Sequence, residues 1–100
     1  TSGWGAWAPI GTPFGSGQCT TVGAGARVAG HLDVVASNCQ GTVQIRSWSP
    51  TTGWAASWGS LGDPISLNSG GGVTAVGRTS GQLDILAEDY LGFVYHRWYG

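Results

Sequence analysis

The residues Trp7-Ala-Pro-Ile-Gly11 return fifty-one positions later as Trp58-Gly-Ser-Leu-Gly62, and the correspondence runs almost to the C-terminus. At this offset the identical pairs include Pro13/Pro64, Val22/Val73, Ala24/Ala75, Arg27/Arg78, Gly30/Gly81, Leu32/Leu83, Asp33/Asp84, Ala36/Ala87, Gly41/Gly92, Val43/Val94 and Arg46/Arg97. Ahead of Trp7 the offset drops to 50, matching Thr1-Ser-Gly-Trp4 with Thr51-Thr-Gly-Trp54, so Ser57 is the extra residue of the second copy. A unit this small cannot cover both of its faces and must stack on others. The copies divide at 1–53 and 54–100 and read together as one segment of an array.

Charged residues make up 9% of the chain, against about 25% in ordinary globular domains. There is no lysine, and the four basic residues are the repeat-matched arginines Arg27, Arg46, Arg78 and Arg97. Basic side chains placed in this way suggest specific contacts instead of a solvating coat. With a net charge of −1, nucleic acid and acidic membranes are not expected partners. No apolar run approaches the ~20 residues that span a bilayer, and no basic-then-apolar leader opens the chain, so no membrane insertion is expected. Six tryptophans and regular apolar alternation argue against disorder despite 19 glycines. Gly, Thr, Val and aromatic residues, with no sustained 3.6-residue stripe, argue against helix.

The chain therefore reads as all-β, with strands predicted at about 20–28, 31–37, 42–48, 54–58, 71–79, 82–88 and 93–99. Ala29-Gly30 and Ser80-Gly81 supply the positive φ of tight hairpins. Asn38-Cys-Gln-Gly41 and Asp89-Tyr-Leu-Gly92 mark the next turn, and Gly53-Trp54 opens a fourth strand. A seven-stranded sandwich has similar turn spacing but does not explain a repeat that includes its turns. Four-stranded units repeated around an axis make a β-propeller. Its crowded innermost strands would be the small-residue segments 20–26 and 71–77, with the tryptophan-rich segments at the wide rim. Residues 1–8 look like the outer strand of a unit whose other strands are missing, and the second copy lacks an outer strand. Strand exchange between subunits would then close a ring, three copies giving six blades and four giving eight.

The stretch Gly81-Gln-Leu-Asp-Ile-Leu-Ala-Glu-Asp-Tyr-Leu-Gly-Phe-Val-Tyr-His-Arg-Trp-Tyr99, with Gly53-Trp54 and Trp58-Gly-Ser-Leu-Gly62, resembles the blade motif of the Photorhabdus-type propeller lectins. The resemblance covers both copies and is sharper in the second. In the first, Gln44, Ile45 and Ser47 stand where Tyr95, His96 and Trp98 stand later. The resemblance implies non-catalytic binding of fucose or other, often O-methylated, monosaccharides in shallow pockets between blades. Fucosylated or methylated glycans would be the partners. The two-blade length is also similar to that of short fucose lectins that assemble as trimers.

The side chains suit a sugar independently, because a pyranose stacks its C–H face on an aromatic ring and surrounds it with hydroxyls that arginine or carboxylate can bind. Strand alternation puts Tyr95, Arg97 and Tyr99 on one face and His96 and Trp98 on the other, while Gln44, Arg46 and Trp48 take the first position in the first copy. Candidate sugar-binding residues are Arg46, Trp48, Trp4, Trp54, Glu88, Tyr95, Arg97, Trp98 and Tyr99. Each has a packing or surface alternative: Trp7 and Trp58 read more readily as packing between units, and Glu88 as a solvated turn residue. Arg27 with Asp33, and Arg78 with Asp84, read as ion pairs within a unit. His31 and His96 are too isolated for metal ligands and Asp63 with Asp89 lacks calcium-loop spacing, so no cofactor is expected. Cys19 and Cys39 flank the first hairpin. A disulfide there would imply a secreted or cell-surface-facing protein, with two buried thiols as the alternative. Five acidic residues without a nucleophile, base and orienter set do not suggest an enzyme. A protein-binding propeller scaffold and a glycoside hydrolase fragment are the competing functional readings.

Overall fold

The computed structural model describes residues 3–15, 20–38, 42–62, 72–78, 80–88 and 92–100. Its strands are β1 (Thr20–Gly25), β2 (Leu32–Asn38), β3 (Val43–Ser49), β4 (Gly53–Trp54), β5 (Gly59–Gly62), β6 (Val73–Gly77), β7 (Leu83–Glu88) and β8 (Val94–Tyr99). Among the described residues there is no helix, and hence none long and apolar enough to cross a membrane. All pairing among the described residues is antiparallel. The first sheet runs β1-β2-β3-β4 with β5 also on β3, and the second runs β6-β7-β8.

The repeat survives in the register. Val22 faces Ala36 and Val73 faces Ala87, while Leu32 faces Trp48 and Leu83 faces Tyr99. One set of spacings thus aligns both sheets residue for residue, and Gly30 and Gly81 turn their hairpins at φ 80° and 82°. Cys19, Cys39 and the segments 39–41, 63–71 and 89–91, including the turns expected there, lie outside the described residues.

Two expected strands differ. The β3–β5 ladder shifts register between Val43 and Gln44, and of the strand predicted at 54–58 only Trp54, the end of β4, is in a strand, residues 55–58 leaving a gap before β5. The extra Ser57 falls in that gap, and an irregularity of this kind lets a strand bend away and return. At the N-terminus, residues 3–10 form no strand, and Trp4 and Trp7 are fully exposed at 102% and 103%. A segment that pairs with no neighbouring strand has no ladder to hold it extended.

The two sheets pack through their first strands, β1 against β6. A Cβ on Gly23 would lie 2.5 Å from the Val73 carbonyl oxygen, and one on Gly25 would lie 2.8 Å from that of Ala75. Backbone meets backbone there, which only glycine permits. Behind this line Val35, Val43, Val73, Ala75, Leu83, Ile85 and Ala87 form a single core from both sheets, with Ile45 and Leu61 against it.

Each hairpin carries a buried aspartate. Asp33 accepts from Arg27 Nη2 at 2.7 Å, from the Arg27 backbone N–H at 3.1 Å and from the Ser47 hydroxyl at 2.6 Å. Burial alone would raise its pKa, but the hydrogen bonds from Arg27 and Ser47 outweigh burial and hold it below the usual carboxylate range. Asp84 is likewise lowered, chiefly by a 2.7 Å hydrogen bond from His96 and then by Arg78 at 2.8 Å.

Because both folded-state values are depressed, the charged carboxylates stabilise the fold fully above the unfolded value near 3.9. That contribution is lost as pH falls through the lowered values. Melting followed from pH 7 to pH 2 should show a decline below about pH 4 that Asp33→Asn flattens, while at pH 7 the same substitution should cost about 3 kcal/mol. Gly25→Val, forcing a side chain against the Ala75 backbone, should lower the chemical-denaturation midpoint by more than an alanine at exposed Thr20 does.

Candidate functional site

β8 presents its two faces to different surroundings. On one, His96 reaches Asp84 and stacks on Trp98, ring centroids 5.2 Å apart. On the other, Tyr95 and Arg97 line a notch of about 40 Å³, which His96 between them also borders, with Val43 and Leu61 from the first sheet and Ile85 and Ala87 from the second. Tyr99, on the Tyr95 and Arg97 side by alternation, has the Arg27 guanidinium 4.6 Å from its ring centre. Arg27 is held there by Asp33, whose hydrogen bond also raises the arginine pKa above its ordinary value. One face of Tyr99 is therefore backed by a fixed cation, leaving the opposite face for contact.

Arg97 crosses between sheets, donating from Nη1 to the Leu61 carbonyl on β5. The equivalent Arg46 donates from Nη1 to the Ile10 carbonyl at 2.7 Å and from Nε to the Ala55 carbonyl at 2.9 Å. Ile10 precedes Leu61 by the repeat length, so the contact is the same in both copies. A Cβ on Gly11 or Gly62 would stand 3.6 and 3.7 Å from the respective arginine Nη1, which repeats the local geometry too. In the first copy Trp58 adds its Nε1–H to the Ile10 carbonyl at 3.1 Å.

Of the residues predicted from sequence, Arg46, Trp48 and Trp54 come together: Trp48 faces Trp54 across the ladder and the Arg46 guanidinium lies 5.9 Å from the Trp54 ring centre. Tyr95 and Arg97 come together at the notch, while Tyr99, on their side of β8 by alternation, meets Arg27. Trp98 lies on the opposite face with His96. Glu88 faces Val94 at the far end of β7, in a groove of about 310 Å³ with Gly72, Val73, Thr74 and Leu86. Trp4 lines a hollow with its sequence neighbours Gly5, Ala6 and Trp7.

Sequence reasoning missed Arg27 as the cation behind Tyr99, and the paired carbonyls of Ile10 and Leu61. The first depends on how the sheets sit together. The second was readable in principle, since arginine and carbonyl positions repeat at the same offset. No cluster of three or more metal-ligating side chains occurs among the described residues. Comparison with protein-family models, curated proteins and solved structures gave no match.

Arg46→Ala should release residues 8–11 from the first sheet. Hydrogen exchange should then speed up in that segment while β2 and β7 keep their protection.

Proposed function

We propose that this chain is a non-catalytic carbohydrate-binding lectin, built as two blades of a β-propeller whose ring is closed by further copies. Its ligand would be fucose or a related, O-methylated monosaccharide. The observation that carries the reading is a tethered arginine beside an aromatic ring in both copies: Arg97 with Tyr95, and Arg46 with Trp54, which faces Trp48. Each guanidinium is fixed through a backbone carbonyl and has five N–H donors. It can therefore offer the rest to sugar hydroxyls without losing further side-chain freedom.

The notch supports the sugar class. About 40 Å³ lined by Val43, Leu61, Ile85 and Ala87 is room for a methyl group and not for a pyranose ring. A 6-deoxy or O-methyl group would enter it, with the ring lying across Tyr99 and its hydroxyls toward Arg97. Such shallow sites bind weakly alone, and several around one ring would act through avidity. That setting fits a secreted or cell-surface-facing protein displaying sites to glycans.

A glycan array should show signals for fucosylated or methylated structures that free monosaccharide removes; a signal that monosaccharide leaves untouched would instead favour a protein-binding scaffold. In calorimetry Arg97→Ala and Tyr99→Ala should each weaken fucose binding in the second-copy site at least about tenfold. Unchanged titration would refute the assignment.

A further inference from the structure

The guanidinium behind Tyr99 comes from the other repeat unit, and it is fixed from several directions. Asp33 Oδ1 accepts from Arg27 Nε at 3.1 Å and from Nη2 at 2.7 Å, Asp33 Oδ2 accepts from the Arg27 backbone N–H at 3.1 Å, and Ser47 Oγ accepts from Nη2 at 3.4 Å. The Arg27 carbonyl in turn accepts from the Gly81 N–H at 2.7 Å, in the turn between β6 and β7. A Cβ on Gly77 would collide with the Ala26 carbonyl, so a glycine there admits the backbone that carries Arg27 against β6. Main chain and side chain of Arg27 are therefore set before any ligand arrives.

Tyr99, by contrast, is 60% exposed, and an exposed aromatic side chain ordinarily samples several rotamers. We infer that Arg27 is a positioning residue of the second-copy site: its guanidinium, 4.6 Å from the ring centre, holds Tyr99 in the orientation on which the sugar lies, while Arg27 itself touches no sugar. The role rests on the lectin reading and adds to it a residue from the neighbouring unit. A ring held in place beforehand loses no rotamer freedom when the ligand arrives, which is worth roughly threefold to tenfold in affinity.

The task suits arginine in particular. A guanidinium is a flat fork whose edge binds a carboxylate while its face lies against a ring. In Arg27 the edge is committed to Asp33 and the central carbon lies over Tyr99. A lysine would keep the ion pair but bring a point charge in place of the plane. Arg78 stands at the matching position of the second unit and donates from Nε to Asp84 Oδ2 at 2.8 Å, with His96 on the other oxygen. Alternation puts His96 on the face of β8 opposite to Tyr99, so Arg78 serves as the internal control.

Nuclear magnetic resonance of the chain carrying ring-labelled tyrosine tests this. There are three tyrosines, and Tyr99→Phe identifies the signal of interest. Without sugar, Arg27→Lys should move that signal toward the position of free tyrosine, and Arg78→Lys should leave it in place. On titration with fucose, the dissociation constant read at Tyr99 should rise about threefold for Arg27→Lys and about tenfold for Arg27→Gln combined with Asp33→Asn. The double exchange replaces the pair by a neutral one and strands no buried charge, which keeps the fold. Arg78→Lys should titrate as wild type does; a weakening equal to that of Arg27→Lys would make the effect one of general stability and overturn the role. Constants unchanged in both Arg27 variants would overturn it too, and leave the lectin reading standing. A wild-type Tyr99 signal that fucose never moves would overturn the sugar site and the positioning role together.

Discussion

Backbone contact between β1 and β6 is the constraint on which the remaining geometry depends. Gly23 and Gly25 remove the side chains that would separate the strands, so the sheets close on each other at one edge and diverge toward the other. The convergence buries Val73, Ala75, Ile85 and Val35 in a shared core. It also leaves the outer strands far enough apart for arginines to span the gap. Without it Arg27 would not lie over Tyr99, and Arg97 would not reach Leu61.

The arginines turn that divergence into a built surface. Arg27 stays within its own hairpin, tied to Asp33, and spends its ring-facing side on the neighbouring sheet. Arg46 and Arg97 instead reach for main-chain oxygens one outer strand away. In a chain with no lysine, this distribution accounts for three of the four basic residues as links between segments, the fourth, Arg78, pairing with Asp84.

The all-β class and the two-sheet layout could be read from the sequence because the repeat includes its turns. Gly30 and Gly81 marked both hairpins, and β2, β3, β7 and β8 begin or end within a residue or two of their expected places. Strand alternation also separated Arg97 from His96 and Trp98. Less was legible at the rim, where the strand expected at 54–58 ends at Trp54 and the next begins at Gly59, since which outer residues join β3 depends on cross-strand pairing that local residue preferences do not encode. Glu88 and Trp4 were named as candidates by residue type, whereas Glu88 stands at the far end of β7 and Trp4 in a segment that forms no strand.

From its residues alone the chain determined two equivalent antiparallel units, the glycine turns of their first hairpins, their aspartate–arginine pairs and the alternation of sides along β2, β3, β7 and β8. These follow from local stereochemistry: a period of two, positive φ at glycine, and a repeat that forces equal registers. Tertiary structure decided which face of β8 meets the first sheet, that Arg27 backs Tyr99, and that the arginines end on carbonyls of another strand. Those contacts join residues as many as seventy-two positions apart, and such distances are set by how closely two backbones approach, a property of the packed pair and of neither segment by itself.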